Sequence, residues 1–458
     1  MSDRWLTPMD AIFLYGETRE VMMHVASLLI FTPPKDARPD FLRSLLDELR
    51  GSREIYPPWN LRLRTPEFLA NPLHSWVEEP DIDIDYHVRR SALPAPGDER
   101  ELGTLVSRLH SHAMDFHHPL WEVHLIEGLE GGRFAMYFKV HHSLVDGFTG
   151  SRILARSLSN DPDDRTRPMF FSIPPPEGAG SPADSGDDAI AAFRAGFQKQ
   201  LESARQVGRE LRDIVTGHKP HGVTPYEAPM SILNGRVSRN RRFATQQYQL
   251  ERVKTLARRA GCTLNDLVLA LSSASLRRFL MELGALPADP LIAMIPVNVR
   301  PKDDPGGGNA VGSILASLAT HIADPVERLK VIRESACQAK EQLHGMSREA
   351  IIQFSALQML PFAFQHVTGM SGRMRPPFNV VISNVAGPKE TLYFRGARLD
   401  ACYPVSIPTH GQAINITCQS YAGTLNFGFT GCRDTLPRMQ RVAVYTGEAL
   451  NELEQAVG

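Results

Sequence analysis

Residues 173–188 read IPPPEGAGSPADSGDD, and a stretch this dense in Pro, Gly, Ser and Asp cannot bury enough apolar surface to fold alone. It interrupts two regions of clear hydrophobic periodicity, so a chain of 458 residues has to build more than one core. The division expected is a first half over 1–165, a linker with a polar helix over 166–222, and a second half over 223–458. In the first half, residues 25–31 form a short apolar run suited to a buried strand, and residues 39–50 space Phe41, Leu42, Leu45, Leu46 and Leu49 as one helix face. Residues 98–115 read as a second helix. Residues 121–129 and 133–142 read as two strands around the turn Glu130-Gly131-Gly132. In the second half, helices are predicted over 263–283 and 325–343, and strands within 291–299, 378–385, 413–421 and 424–431. Strands and helices mix without strict alternation, which favours an α/β fold of the α+β sandwich type over a parallel doubly wound sheet.

Composition narrows the function classes. Fifty basic against 51 acidic side chains leave a net charge of −1, too little for a general grip on nucleic acid. Five cysteines without a C-x-x-C pair fit a reducing compartment better than a disulfide framework or a structural zinc. The N-terminal residues lack the basic and apolar regions of a signal peptide, and no apolar run approaches the roughly 20 residues that span a bilayer.

The string His141-His142-Ser143-Leu144-Val145-Asp146-Gly147 stands where a strand ends and a helix begins. Three chemistries compete there. A metal site using His141, His142 and Asp146 is disfavoured, because neighbouring strand residues point to opposite faces. A triad with Ser143 as nucleophile places the serine too close in sequence to His142, and no G-x-S-x-G elbow occurs. In direct transfer, His142 alone takes the proton of an acceptor hydroxyl, work that suits an imidazole of ordinary pKa about 6.5. The plain alternative is a loop with partly buried histidines.

This string resembles the HHxxxDG signature of the wax ester synthase/diacylglycerol acyltransferase family, within the wider set of chloramphenicol acetyltransferase-like folds. Pro119-Leu120-Trp121-Glu122 resembles its PLW block, Asn265-Asp266 its ND block, and residues 378–388 its asparagine-rich strand. The opening segment 6–14, residues 232–244 and residues 431–439 resemble further blocks, so the likeness spans almost the whole chain. It departs at Asp115-Phe116-His117-His118, where the family carries an acid followed by two basic residues, at Ser275 in place of Ala or Gly, and at His410, where an acid is usual.

The resemblance implies two chloramphenicol acetyltransferase-like halves with a channel between them. It implies transfer of a long-chain acyl group from fatty acyl-CoA to a long-chain alcohol or diacylglycerol, with no cofactor and no metal. His142 would be the general base, His141 a supporting neighbour, and Asp146 a loop-shaping residue paired with an arginine, for which Arg300 is one guess. Asn265, Asn379, Ser383 and Asn384 are candidates for the oxyanion or the channel, although Asp266 also reads as a capping box with Thr263, and the asparagines as backbone partners at a strand end. Trp121 reads as core. Arg241 and Arg242, clustered with Arg236 and Arg239, are candidates for a CoA phosphate or for a solvated face. A same-fold enzyme acting on a small or carrier-bound acceptor, and a non-catalytic lipid-binding protein, are the rival readings. The expected location is cytoplasmic, docked on membrane or neutral-lipid inclusions through 359–364 with Met370 beyond, or through the helix 188–216.

Overall fold

The computed structural model describes residues 4–5, 13–52, 54–66, 75–145, 147–174, 223, 227–298 and 311–458. Its strands are β1 (Arg4–Trp5), β2 (His24–Thr32), β3 (Leu61–Leu63), β4 (Ser75–Glu78), β5 (Val88–Ala92), β6 (Trp121–Glu127), β7 (Phe134–His141), β8 (Arg241–Gln249), β9 (Ile292–Asn298), β10 (Val311–Ser317), β11 (Val380–Val385), β12 (Tyr393–Phe394), β13 (Ala397–Val405), β14 (Ile414–Tyr421) and β15 (Thr424–Cys432). The helices are α1 (Phe41–Gly51), α2 (Ile84–His87), α3 (Glu99–His110), α4 (Gly147–Arg156), α5 (Leu250–Arg259), α6 (Leu264–Glu282), α7 (Pro325–Leu343), α8 (Arg348–Val367) and α9 (Arg441–Val457). Two six-stranded sheets, ordered β12-β13-β2-β7-β6-β5 and β10-β9-β11-β14-β15-β8, form the frame, with β1-β4-β3 as a small third sheet.

The predicted hairpin of β6 and β7 forms, and β7 is buried on both faces. Phe134, Met136, Phe138 and Val140 join one core with Trp59 and Trp121. Ala135 and Tyr137 face a second core under α3. The helix expected over 98–115 stops at His110, because its last turn is held from below: Lys139 Nζ donates to Leu109 O and His112 O, and His24 Nε2 donates to His110 O. The capping box forms at α6, where Thr263 Oγ1 accepts from Asp266 N and Asp266 Oδ2 accepts from Thr263 N.

Chain order and sheet membership part company in two places. The first half runs beyond residue 165, since Met169, Phe170, Phe171 and Ile173 are buried and the first three pack into its core. From the second half, β12 and β13 cross over to complete the first sheet, β13 pairing antiparallel with β2. The rest of the expected linker and its polar helix lie outside the described residues. Where β13 passes β15, Gly428 lets the backbones touch, for a Cβ there would sit 1.9 Å from Pro404 O. The outer edge of β8 is covered by α3, whose Ser107 and Ser111 hydroxyls accept from Phe243 N and Arg241 N.

Candidate active site

Strand β7 ends at His141, opposite His24 of β2, and the chain then turns. His142 N donates to Met23 O at 2.9 Å, and His141 N donates to Leu120 O at 3.0 Å, so the histidine pair is seated between the end of β2 and the Pro119-Leu120-Trp121 block. The His142 ring is partly exposed and stacks on Phe13, with centroids 4.1 Å apart and planes 18° from parallel. Phe13 itself packs on the core of the second sheet, so this contact spans from one half to the other.

His141 is fully buried and both ring nitrogens are engaged. Ser143 N donates to Nδ1 at 3.2 Å, which makes Nδ1 an acceptor and leaves Nε2 to donate to Glu17 Oε2 at 2.9 Å. The Ser143 hydroxyl also lies on Nδ1, at 2.6 Å. The same Glu17 oxygen accepts from Met23 N, the residue whose carbonyl holds His142. Carboxylate, imidazole and serine thus line up as in a hydrolase triad, but around the wrong histidine and in a closed interior, with Ser143 only 3% exposed. The arrangement fixes the tautomer and position of His141, beside a His142 ring that is partly exposed.

The remaining sequence candidates separate. Asp146 and Arg300 lie outside the described residues. Asn265 is partly buried on the first turn of α6, while its neighbour Asp266 is used in the cap. Asn379 is a structural tie: Nδ2 donates to Pro229 O and Asn234 Oδ1 at 2.8 and 2.7 Å, and Oδ1 accepts from Ile292 N at 2.8 Å. With its hydrogen bonds spent on backbone and Asn234, it offers nothing to an oxyanion. Ser383 and Asn384 are partly buried on β11, where Cys418 Sγ donates to Asn384 Oδ1 at 3.4 Å. Trp121 is core, its indole N–H donating to Trp59 O.

Arg241 is 2% exposed. Its guanidinium clamps the carbonyls of Ser238, Glu20 and Pro408, and burial lowers its pKa to about 10. It is therefore committed to the protein's own backbone, unlike Arg242. His410, where the family carries an acid, accepts from Val237 N on Nδ1 and reaches Glu20 Oε2 with Nε2 at 3.2 Å. Burial, then the charge of Arg236, brings it down to about 4.

Sequence reasoning did not find Glu17, Phe13 or Asn234. Glu17 lies 124 residues from its histidine, and no local spacing signals such a pair.

The model of the wax ester synthase/diacylglycerol acyltransferase catalytic domain matches residues 6–268, and that of the WS/DGAT C-terminal domain matches residues 307–454. The chain belongs to the wax ester synthase/diacylglycerol acyltransferase family. A putative diacylglycerol O-acyltransferase of Mycobacterium tuberculosis is 52% identical, over 99% of this chain and 98% of that protein. The solved wax ester synthase/diacylglycerol acyltransferase of Marinobacter aquaeolei VT8 superposes with a TM-score of 0.79 at 37% identity, covering 99% of this chain and 100% of the other. The first condensation domain of a calcium-dependent antibiotic synthetase shares the fold alone, with a TM-score of 0.60 at 17% identity over 100% and 97% of the two chains. Family membership makes this chain an acyl-CoA-dependent O-acyltransferase with the two-halved α/β architecture of chloramphenicol acetyltransferase-like enzymes.

Proposed function

We propose that this chain moves a long-chain fatty acyl group from acyl-CoA directly to the hydroxyl of a long-chain alcohol or of diacylglycerol, with His142 as the general base. The observation that carries the reading is the contrast in burial within the histidine pair: His141 is fully buried and engaged on both nitrogens, whereas the His142 ring is partly exposed and stacks on Phe13. His142 takes the hydroxyl proton as the oxygen attacks the thioester carbonyl. The tetrahedral intermediate collapses with cleavage of the C–S bond, and the imidazolium returns its proton to the departing thiolate. A thiol of ordinary pKa about 8.5 leaves far more readily than an alkoxide. Written this way, the reaction draws on no metal and no resident cofactor, and CoA is a product. Asn265, Ser383 and Asn384 stay the candidate oxyanion or channel residues among those singled out from the sequence. Replacing His142 by Ala should lower thiol release from palmitoyl-CoA by about 10²–10⁴-fold with either hexadecanol or diacylglycerol, in a protein of unchanged melting temperature. His141→Ala should lower it less. A His142→Ala enzyme that keeps more than roughly a tenth of wild-type turnover excludes general-base catalysis at that ring.

The acceptor is nearly insoluble, at about 0.8 kcal/mol per methylene leaving water, so we also propose that the enzyme works while docked on lipid from the cytoplasmic side. Among the described residues no helix is long and apolar enough to cross a membrane. Within the segment singled out from the sequence, Met359 and Phe362 pack inward, but Leu360 and Phe364 are 57% and 60% exposed. Leu357, Met370 and Met374 extend that apolar stripe, and the exposed Arg373 and Arg375 border it. The helix 188–216 lies outside the described residues. Flotation with vesicles containing neutral lipid should carry the protein upward, and Leu360→Ser/Phe364→Ser should leave it in the soluble fraction. A wild-type protein that never floats excludes the docking.

A further inference from the structure

A crevice of about 310 Å³ opens between the halves, where the C-terminal turn of α3 meets the start of β8 and the end of β15. Arg108 and His112 line it from the first half; Arg239, Arg241, Arg242 and Arg433 line it from the second. Five guanidinium groups around one hollow is an unusual concentration in a chain whose net charge is −1. Three of them, Arg108, Arg239 and Arg242, make no ion pair among the described residues. Arg433 faces Asp434 at 3.5 Å with both side chains about half exposed, a weak contact. Asp434 is otherwise occupied, its second oxygen accepting from Ser238 Oγ and Asn240 Nδ2.

The fifth arginine explains why the hollow keeps its shape. Arg241 is buried as the floor and spends its donors on carbonyls, so it fixes the backbone that carries Arg239 and Arg242. One of those carbonyls belongs to Glu20, in the turn between Glu17, which grips His141, and Met23, which holds His142. A single guanidinium therefore separates the crevice from the segment that seats the histidine pair. Planar forks that lack carboxylate partners, set on both walls of a hollow, match the oxygens of a phosphate ester bearing several charges.

We propose that this crevice holds the phosphates of the nucleotide end of acyl-CoA, with Arg108, Arg239 and Arg242 as the phosphate ligands, Arg433 at the rim and Arg241 as a structural floor. The proposal rests on the acyl-CoA reading above and revises the sequence expectation, which paired Arg241 with Arg242 and had no means of finding Arg108 or Arg433. The same cationic chemistry could hold a phospholipid headgroup, so the test separates the two sources.

Arg108→Ala and Arg239→Ala/Arg242→Ala are compared with wild type in three measurements. Calorimetric titration with adenosine 3′,5′-bisphosphate, which needs no turnover, should show binding to wild type and a loss of roughly tenfold to a hundredfold in each variant, the effect of removing charge-assisted bonds. The KM for palmitoyl-CoA should rise by a similar factor, while the KM for palmitoyl-pantetheine, which lacks the nucleotide, should not move. Vesicles of neutral lipid doped with phosphatidylglycerol should capture wild type and variants alike. Loss of vesicle capture with nucleotide binding intact assigns the crevice to a headgroup and overturns the proposal. Equal effects on palmitoyl-CoA and palmitoyl-pantetheine, or none on either, overturn it as well. A chain that binds the bisphosphate through these arginines but transfers no acyl group leaves the crevice assignment standing and removes the catalytic reading.

Discussion

At the scale of the residue, neighbours in sequence have different surroundings. His141 is buried and meets Glu17 and Ser143; His142 is partly exposed and stacks on Phe13. Glu17→Ala would strand two donors, His141 Nε2–H and Met23 N–H, at a cost of about 1–3 kcal/mol each. Glu17→Gln keeps an acceptor oxygen for them and should recover most of the loss in denaturant unfolding. Because Met23 also carries the carbonyl that holds His142, activity should fall with Glu17→Ala beyond what its unfolded fraction explains. Ser143→Ala gives the converse test. The backbone N–H of residue 143 still reaches His141, so turnover should stay within about tenfold of wild type, whereas loss of a true serine nucleophile costs roughly 10⁶-fold. Acid quench followed by mass spectrometry should detect no acyl-serine, and a trapped acyl-enzyme at Ser143 would overturn direct transfer.

At the scale of the element, the two sheets are pinned by buried polar ties at strand ends. Asn379 stands just before β11 and joins three segments, at Pro229, Asn234 and Ile292. Asn379→Ala leaves at least one backbone N–H and one amide oxygen buried without partners, which should cost about 3 kcal/mol, measured as a shift in the denaturation midpoint. On β6 and β7 the tie is ionic. Glu122 Oε2 receives Lys139 at 3.2 Å, His124 at 3.4 Å and Arg89 at 3.8 Å. Burial pushes the Glu122 carboxyl up, but the His124 bond and the charges of Lys139 and Arg89 outweigh it and bring it down to about 2. Burial also lowers the Lys139 amine, and the Glu122 charge opposes that. Glu122→Gln should destabilise the fold by removing the carboxylate that pairs with buried Lys139 beneath α3, read as a lower denaturation midpoint.

At the scale of the whole molecule, the halves are interlocked. Strand β13 comes from the second half and lies in the first sheet, and Gly428 admits the contact with β15. Gly428→Ala drives a methyl into Pro404 O, contact that only separation of the sheets relieves, and should cost at least about 2 kcal/mol in thermal unfolding. Acid should loosen the whole molecule progressively. Burial lowers His87 to about 4 and His110 to about 3, and burial with Arg236 lowers His410 to about 4, so all three are neutral in the folded state at neutral pH. The unfolded chain binds their protons first. Stability from these groups is complete above pH about 6.5 and is lost as pH falls toward 4 and 3. Glu122 acts in the same direction lower down: its contribution is complete above the unfolded value of about 4.5 and disappears as pH falls through about 2. The melting temperature should be flat near pH 7–8, begin to fall below about 6.5, and fall more steeply below about 4.5.

Sequence alone determined what short-range physics controls. The β6–β7 pair, the capping box of α6, the apolar face of α1 and the placement of the histidine string at a strand end follow from turn residues, caps and periodicity within about 20 residues. The family blocks added the chemistry, because their order along the chain is itself a sequence property. Tertiary structure decided everything that joins distant segments: the crossing of β13 into the first sheet, the end of α3 at a buried lysine, the tie between Glu17 and His141, and the gathering of Arg108, Arg242 and Arg433 around one crevice. It also decided which of two adjacent arginines is spent on the backbone, since Arg241 is sealed against three carbonyls while Arg242 is not. Linear spacing carries no record of such pairings, because the partners meet only once the chain has folded, where their hydrogen bonds offset the cost of taking charged and polar groups out of water.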